Sequence, residues 1–392
     1  MKKRVFALLL VLVLAASCFT ACGSKDKKKV SSKSSYEDMY ELLDTMSQVK
    51  SGTYEMSYDI DLGSMGIVSL SLTGKKDDKN NAAVSVAIDA NVEGQKLNAD
   101  VDDILILKDG MAYINLAGAA DAVSGIAGVE ITEMIGDMEL GYFGIPVPKM
   151  NIDEKVTKEY LGIGLDFLKA VLSDVDIKGE KKEFSFTLDD AESIKSIINS
   201  FADYVESDAA DVLDKMSPTD VYDEDFDIGG YVNDLIDYFY DDAVEVAKAL
   251  GLDSAEIDEY VDQIKEMDFD ELLADQIPED KSYLDLMLEE LNLDDADEAM
   301  TKYADSIREL ADEMDEAEAE DFEVKTVVKA TDDGFKASAD ITGKNPDDGS
   351  DITMSVSCKI VEEEVKIVAP KDQVKLGDFA DIIGELAGDV IE

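Results

Sequence analysis

Three cysteines, ninety-one Asp and Glu side chains and no histidine are the chemical inventory of this 392-residue chain. Without histidine the commonest general base near neutral pH is missing. The Ser-His and Cys-His nucleophile pairs and the His-containing zinc sites go with it. The cysteines are Cys18, Cys22 and Cys358. Cys358 sits in Ile352-Thr353-Met354-Ser355-Val356-Ser357-Cys358-Lys359-Ile360, in phase with the apolar members of a strict alternation. That placement predicts a buried, structural thiol rather than a reactive one.

The carboxylates offer less than their number promises. Asp223-Glu224-Asp225-Phe226-Asp227-Ile228-Gly229 opens like a calcium loop, with oxygen ligands at alternate positions. The sixth position is Ile228 where the sharp turn wants glycine, and the twelfth is Asp234 in place of a bidentate Glu. In so acidic a chain such near-matches arise by chance, as do carboxylate pairs at glycosidase spacing. Gly-rich phosphate loops, a G-x-S-x-G elbow and Lys-containing nucleophile motifs are all missing from the sequence. No catalytic, cofactor-binding or metal-ligating residue is assigned, and the expectation is a protein that is not an enzyme. Tyr204, Tyr222, Tyr231, Tyr238, Tyr240, Tyr260, Tyr283 and Tyr303 are read as helix-packing residues, with a partner or glycan surface as the alternative. Met39, Met46, Met56, Met111, Met134 and Met138 are read as core filling, with an adaptable lipid pocket as the alternative.

Lys2, Lys3 and Arg4 precede an uncharged run, Val5 to Ala16, too short to span a bilayer as a permanent helix. Phe19-Thr20-Ala21-Cys22 resembles the lipobox of bacterial lipoproteins, in which a small residue precedes a cysteine that is diacylated. Ala15-Ala16-Ser17-Cys18 matches less well, and the polar, lysine-rich run behind Cys22 resembles the usual tether. The resemblance implies lipidation at Cys22 and an extracytoplasmic domain held at the cell membrane; an ordinary signal peptide is the alternative. Two acyl chains are what stable anchoring requires. With Cys22 acylated and Cys18 removed, Cys358 has no disulfide partner.

An apolar fraction of 45% demands a real core. A net charge of −55 repels nucleic acid and anionic headgroups. Tyr36 to Val49 has helical spacing. From Tyr54 the period becomes two, through Leu62, Val68 to Leu72, Val84 to Val92, Leu97 to Val101 and Met111 to Leu116, which predicts an antiparallel meander with one dry face. Residues 117–175 read as an apolar, loop-rich cover, with helices near Ile131–Met138 and Val156–Leu172. Gly144-Ile145-Pro146-Val147-Pro148 suits neither a helix interior nor a central strand. Phe184, Phe186 and Leu188 add a strand.

From about Ala191 to Ala319 four apolar stripes, beginning at Val232, Ile257, Leu284 and Ala299, predict a small acidic helical bundle. Strand character returns from Phe322, through the segment bearing Cys358, to Val365, Ile367 and Ala369. Leu376 to Val390 reads as a short helix or tail. Strands on both sides of a helical block imply one sheet completed late; two separate sheets are the alternative.

The entry helix, the Ser51-Gly52-Thr53-Tyr54 start of the first strand, the long meander and the late hairpins together resemble the LolA/LppX-like superfamily of lipoprotein and lipid carriers. The resemblance covers roughly Tyr36–Asp190 and Phe322–Pro370. It implies an α+β fold: a curved antiparallel half-barrel lidded by helices, here with an acidic α-helical insertion. The expected order is a signal peptide at 1–21 and a lipidated tether at 22–35. The first part of the half-barrel with its lid follows at 36–200, the insertion at 201–320, and the completing strands and tail at 321–392. The implied function is binding of a hydrophobic or lipid-like ligand between sheet and lid. The alternative is an envelope interaction or adhesion module that works through the acidic helices.

Overall fold

The computed structural model describes residues 49–92, 94–127, 140–147, 154–180, 182–217, 227–251, 254–267, 281–312, 323–344 and 349–379, with positions 38, 39, 41, 42 and 269 besides. In chain order the first strands are β1 (Gly52–Asp61), β2 (Gly66–Lys76), β3 (Ala82–Val92), β4 (Gln95–Lys108) and β5 (Met111–Asn115). Next come helix α1 (Leu116–Ala127), β6 (Tyr142–Pro146), α2 (Glu154–Val171), β7 (Lys178–Glu180) and β8 (Glu183–Leu188). The helices that follow are α3 (Ala191–Ser207), α4 (Ala209–Lys215), α5 (Ile228–Ala249), α6 (Ser254–Lys265), α7 (Tyr283–Leu291) and α8 (Ala296–Asp312). The last strands are β9 (Glu323–Ala330), β10 (Gly334–Lys344), β11 (Asp351–Glu362) and the two-residue β12 (Gln373–Val374).

All twelve strands form one open sheet, ordered β12-β6-β5-β4-β3-β2-β1-β11-β10-β9-β8-β7. Every pairing is antiparallel except β12 with β6. The fold is therefore α+β, with strands from both ends of the sequence in a single sheet: β11 pairs with β1 from Gly52↔Glu362 to Asp61↔Thr353. The Pro-containing run forms β6, next to the edge, and Pro146 stands at its end, where no donor is needed.

Register puts the apolar members of the alternation on one face. Tyr54, Met56, Tyr58 and Ile60 pair with Ile360, Cys358, Val356 and Met354 on one side and with Gly74, Leu72, Leu70 and Val68 on the other. The same face continues through Val84, Val86, Ile88 and Ala90 of β3. Across β8 to β11 it is sealed. Ile194, Ile197 and Ile198 of α3, Val171 of α2 and Ala311 of α8 pack on Leu188, Val324, Ile341, Met354 and Val356. Beside them Met39, Leu42 and Leu168 pack with Phe184, Val328, Phe335, Cys358 and Ile360. Asp190 starts α3 by accepting the Ser193 N–H at 2.7 Å, a cap that satisfies an orphan donor of the first turn.

Three expectations are corrected. The Ala/Gly-rich stretch from 117 is largely the helix α1, whose small residues let it lie directly on β4. A Cβ at Gly118 would stand 2.3 Å from Val101 Cγ1, and one at Gly125 would stand 2.5 Å from the Asn98 carbonyl oxygen. Second, Val365, Ile367 and Ala369 are not a strand but a strap. Val365 N–H donates to Ser51 Oγ at 3.0 Å, and Ile367 packs on Ala83, Ile106 and Tyr113 on the opposite face of the sheet. Third, among the described residues the four helical stripes pack as two groups. α8 runs along α3 with α4 and α7 beside them, whereas α5 packs on α6, on β6 and on the turn at Leu376–Phe379. The Ile131–Met138 helix, most of the entry helix and the chain beyond Phe379 lie outside the described residues.

Candidate functional site

The apolar face does not have one covering throughout. Over β4 it is closed by α1, and Ala90, Ala99 and Val101 are buried there. Over β8 to β11 it is closed by α2, α3 and α8. Between these covers, Met56, Val68, Leu70, Leu72, Val84, Val86 and Ile88 remain half-buried. None of them belongs to a buried cluster. They stand in rows across three strands, Met56–Leu72–Val86 and Tyr58–Leu70–Ile88, so they form a continuous apolar trough. Neighbouring strands are about 4.8 Å apart, which makes the trough roughly 10 Å wide from β1 to β3.

The lining is aliphatic with a thioether and one phenol. Tyr58 Oη lies 2.7 Å from Met56 Sδ. Such a surface can take up an apolar chain by displacing water; it holds no nucleophile, base or cluster of polar donors aimed at a reacting atom. Gly74 lies in the same face, one row beyond Leu72. Among the described residues a Cβ built there would meet only Tyr54 atoms, the nearest at 3.7 Å. The described packing therefore does not require a glycine in this strand interior.

At the same end of the sheet a buried polar network joins two turns and the strap. Asp77 is 5% exposed. It accepts from Lys79 N–H at 2.9 Å, from Asn81 N–H at 3.0 Å and from Asn81 Nδ2 at 2.9 Å. Asn81 Oδ1 in turn accepts from Asp109 N–H at 3.0 Å. Burial pushes the Asp77 carboxyl upward, but the hydrogen bonds from Asn81, Lys79 and Ile367 outweigh it and hold it below its ordinary value. Sequence reasoning missed this network; its one visible sign is Asp and Asn in a five-residue turn between alternating strands.

The residues singled out by sequence are scattered. Cys22 and Cys18 lie outside the described residues. Cys358 is buried, 7% exposed, in the sealed core. Asp223, Glu224, Asp225 and Phe226 also lie outside, but the run is described from Asp227 on. Asp227 Oδ1 caps α5 by accepting from Gly230 N–H at 2.7 Å, and helix begins at Ile228, the sixth loop position. A helix from that point cannot wrap a cation as a calcium loop does.

The tyrosines form no common surface. Tyr204 packs edge-on against Phe167, and burial, with Asp208 and Asp166 nearby, raises its phenol. Tyr231 donates to the Pro146 carbonyl at 2.9 Å; Tyr240 donates to Asp258. Tyr238, Tyr260, Tyr283 and Tyr303 are exposed. Met39 is core, Met56 lines the trough and Met111 packs beside Tyr113 and Ile367. Met46, Met134, Met138 and Tyr222 lie outside the described residues.

A polar groove of about 510 Å³ runs along the outer face of α3, lined by Asp174, Glu192, Lys195, Asn199 and Asp203. Asp203 is already engaged by Arg308 at 2.7 Å. Among the described residues no group of His, Cys, Asp and Glu is arranged to hold a metal ion, and no helix is long and apolar enough to cross a membrane. No protein-family model, curated protein or solved structure matches the chain.

Proposed function

We propose that this chain is a non-catalytic lipoprotein of the cell envelope, tethered outside the cytoplasm through a lipid on Cys22. In this reading it takes up a hydrophobic or lipid-like ligand between a curved sheet and a helical lid, with the acidic helices as an insertion. The observation that carries the reading is the trough. The same alternation that buries β8 to β11 under helices leaves seven apolar side chains of β1 to β3 half-exposed. Water on so large an apolar surface is unfavourable by about 25 cal/mol per Å², the driving force an acyl chain would exploit.

The full-length chain expressed in a bacterium should fractionate with the membrane, and Cys22→Ala should release it. Native mass spectrometry of that released form should show a co-purifying or exchangeable acyl ligand. A protein that stays unliganded in the presence of excess fatty acid would end the lipid-binding reading, and unchanged membrane retention of the variant would end the anchor at Cys22. A second reading, an interaction module, draws on α6 and the turn after it, where Tyr260 is 66% and Met267 49% exposed. It predicts that a ligand-free protein still captures an envelope partner, and that truncating both side chains abolishes the capture.

A further inference from the structure

One end of the trough carries a basic side chain in the phase of the apolar face. Lys76 ends β2 two residues after Gly74, in phase with the apolar face; it pairs in register with Gly52 and Ala82. Neither neighbour carries a side chain larger than a methyl group. Among the described strand residues Lys76 is the one lysine in that phase, and it is half-buried. Lys50, Lys75 and Lys79 stand at the same end, all exposed. In a chain with 36 basic and 91 acidic residues, a lysine normally has its choice of carboxylates. Yet the described ion pairs engage none of these four side chains. Asp59 and Asp61 of β1 and Asp89 of β3, at the opposite end, stand in the other phase, on the far face of the sheet.

We infer that the trough takes a single-chain amphiphile with an anionic head, a carboxylate or phosphate, seated head-to-Lys76. The chain runs over Gly74 toward Leu72 and Leu70. The inference rests on the trough being a ligand site and specifies how the site is polarised. Three observations converge. A glycine within a strand often marks a place where a ligand or another backbone approaches closely, and among the described residues only Tyr54 atoms come within 4 Å of a Cβ built at Gly74. Lys76 is half-buried at the end of the apolar face, and a long basic side chain in such a place can lay its stem along apolar surface and keep its ammonium at the rim. Finally, the net charge of −55 repels anions at long range, but that field is screened within about 10 Å at 0.1 M salt, whereas a contact pair at Lys76 is not. The lysine rim is thus a local docking point in a body that otherwise rejects anionic surfaces.

The test uses the full chain carrying Cys22→Ala, so that no detergent competes, with hexadecanoate, hexadecanol and hexadecylamine as probes of one chain length. Native mass spectrometry at 0.1 M salt should show hexadecanoate held about two- to fivefold better than the alcohol, the size of a half-exposed ion pair, and the amine worst. Lys76→Gln should erase the difference between acid and alcohol, and Lys76→Glu should reverse it. Gly74→Val should weaken all three probes together without lowering the unfolding temperature, since a β-branched residue suits a strand. Equal retention of the three heads by the parent protein, or a preference untouched by Lys76→Glu, would overturn this inference alone. Retention of no probe at all would overturn the reading on which it rests.

Discussion

The two halves of the sheet share one pattern of alternation and differ in what lies on it. On β8 to β11, Phe184 and Ile360 are 1% exposed and Val324 and Ile341 are 2% exposed, under three helices. On β1 to β3 the residues in the same phase, Leu70, Leu72 and Val86 among them, are only half-buried. Period two decides which side chains share a face, but it is silent about whether that face is covered. Coverage depends on where the connections go. The segment between β8 and β9 carries α3 and α8, and these return over the strands that flank them. The meander β1 to β5 is joined by tight turns that have no length to spare for a cover.

The largest contrast should come from deleting one large side chain in each half. Phe184→Ala empties a site in the sealed core and should cost about 3–5 kcal/mol. Urea unfolding with an unchanged slope would measure it. A loss below about 1 kcal/mol would mean that this half is no better packed than the trough, and the comparison would collapse.

A smaller effect is expected from Asp77, which lies at the junction of the two turns and the strap and not in either apolar half. Asp77→Ala leaves the Asn81 side chain and the backbone N–H groups of Lys79, Asn81 and Ile367 without their acceptor, a loss of about 1–3 kcal/mol. The pH dependence follows from the same contacts. The folded carboxyl is held below its ordinary value, so its contribution is fully present above the ordinary carboxylate range. It is lost as the pH falls through that range toward the folded value. Asp77→Asn should therefore flatten the acid limb of a stability–pH curve below about pH 4 and leave its slope near neutrality unchanged. An acid limb as steep as that of the parent would place the protonation event elsewhere.

How much of this was legible beforehand differs between fold and site. The strands of the meander and the late hairpins announced themselves because Tyr54 to Leu62, Val84 to Val92 and Phe335 to Ile341 alternate without interruption. Helix α1 did not, because Gly118 and Gly125 lower helix propensity; they are there for close contact with Val101 and Asn98, which only the tertiary structure shows. The strap misled for the opposite reason. Val365, Ile367 and Ala369 alternate like a strand, but Glu363 and Val365 are tied to Ser51. Nothing in one sequence says that an alternating segment has no ladder partner. The trough was legible only as a dry face. That it is partly uncovered depends on the placement of α1 and α3, set by packing over contacts far apart in sequence.

The smallest effect is the most informative. Leu70 lies mid-trough, between Tyr58 and Ile88 in register. Full burial of a leucine stabilises by roughly 1.5–3 kcal/mol, and a half-buried one can give up only part of that. Leu70 is half-buried and belongs to no buried cluster among the described residues, so Leu70→Ala should open no enclosed cavity and escape the cavity penalty that makes Phe184→Ala expensive. Leu70→Ala should therefore cost less than about 1 kcal/mol in urea unfolding, while Leu70→Asp should leave the fold nearly as stable yet prevent acyl-chain uptake. The paired readout is what gives this its value. A large stability loss at Leu70 would show the trough to be structural core, and normal uptake by Leu70→Asp would place any ligand elsewhere on the molecule.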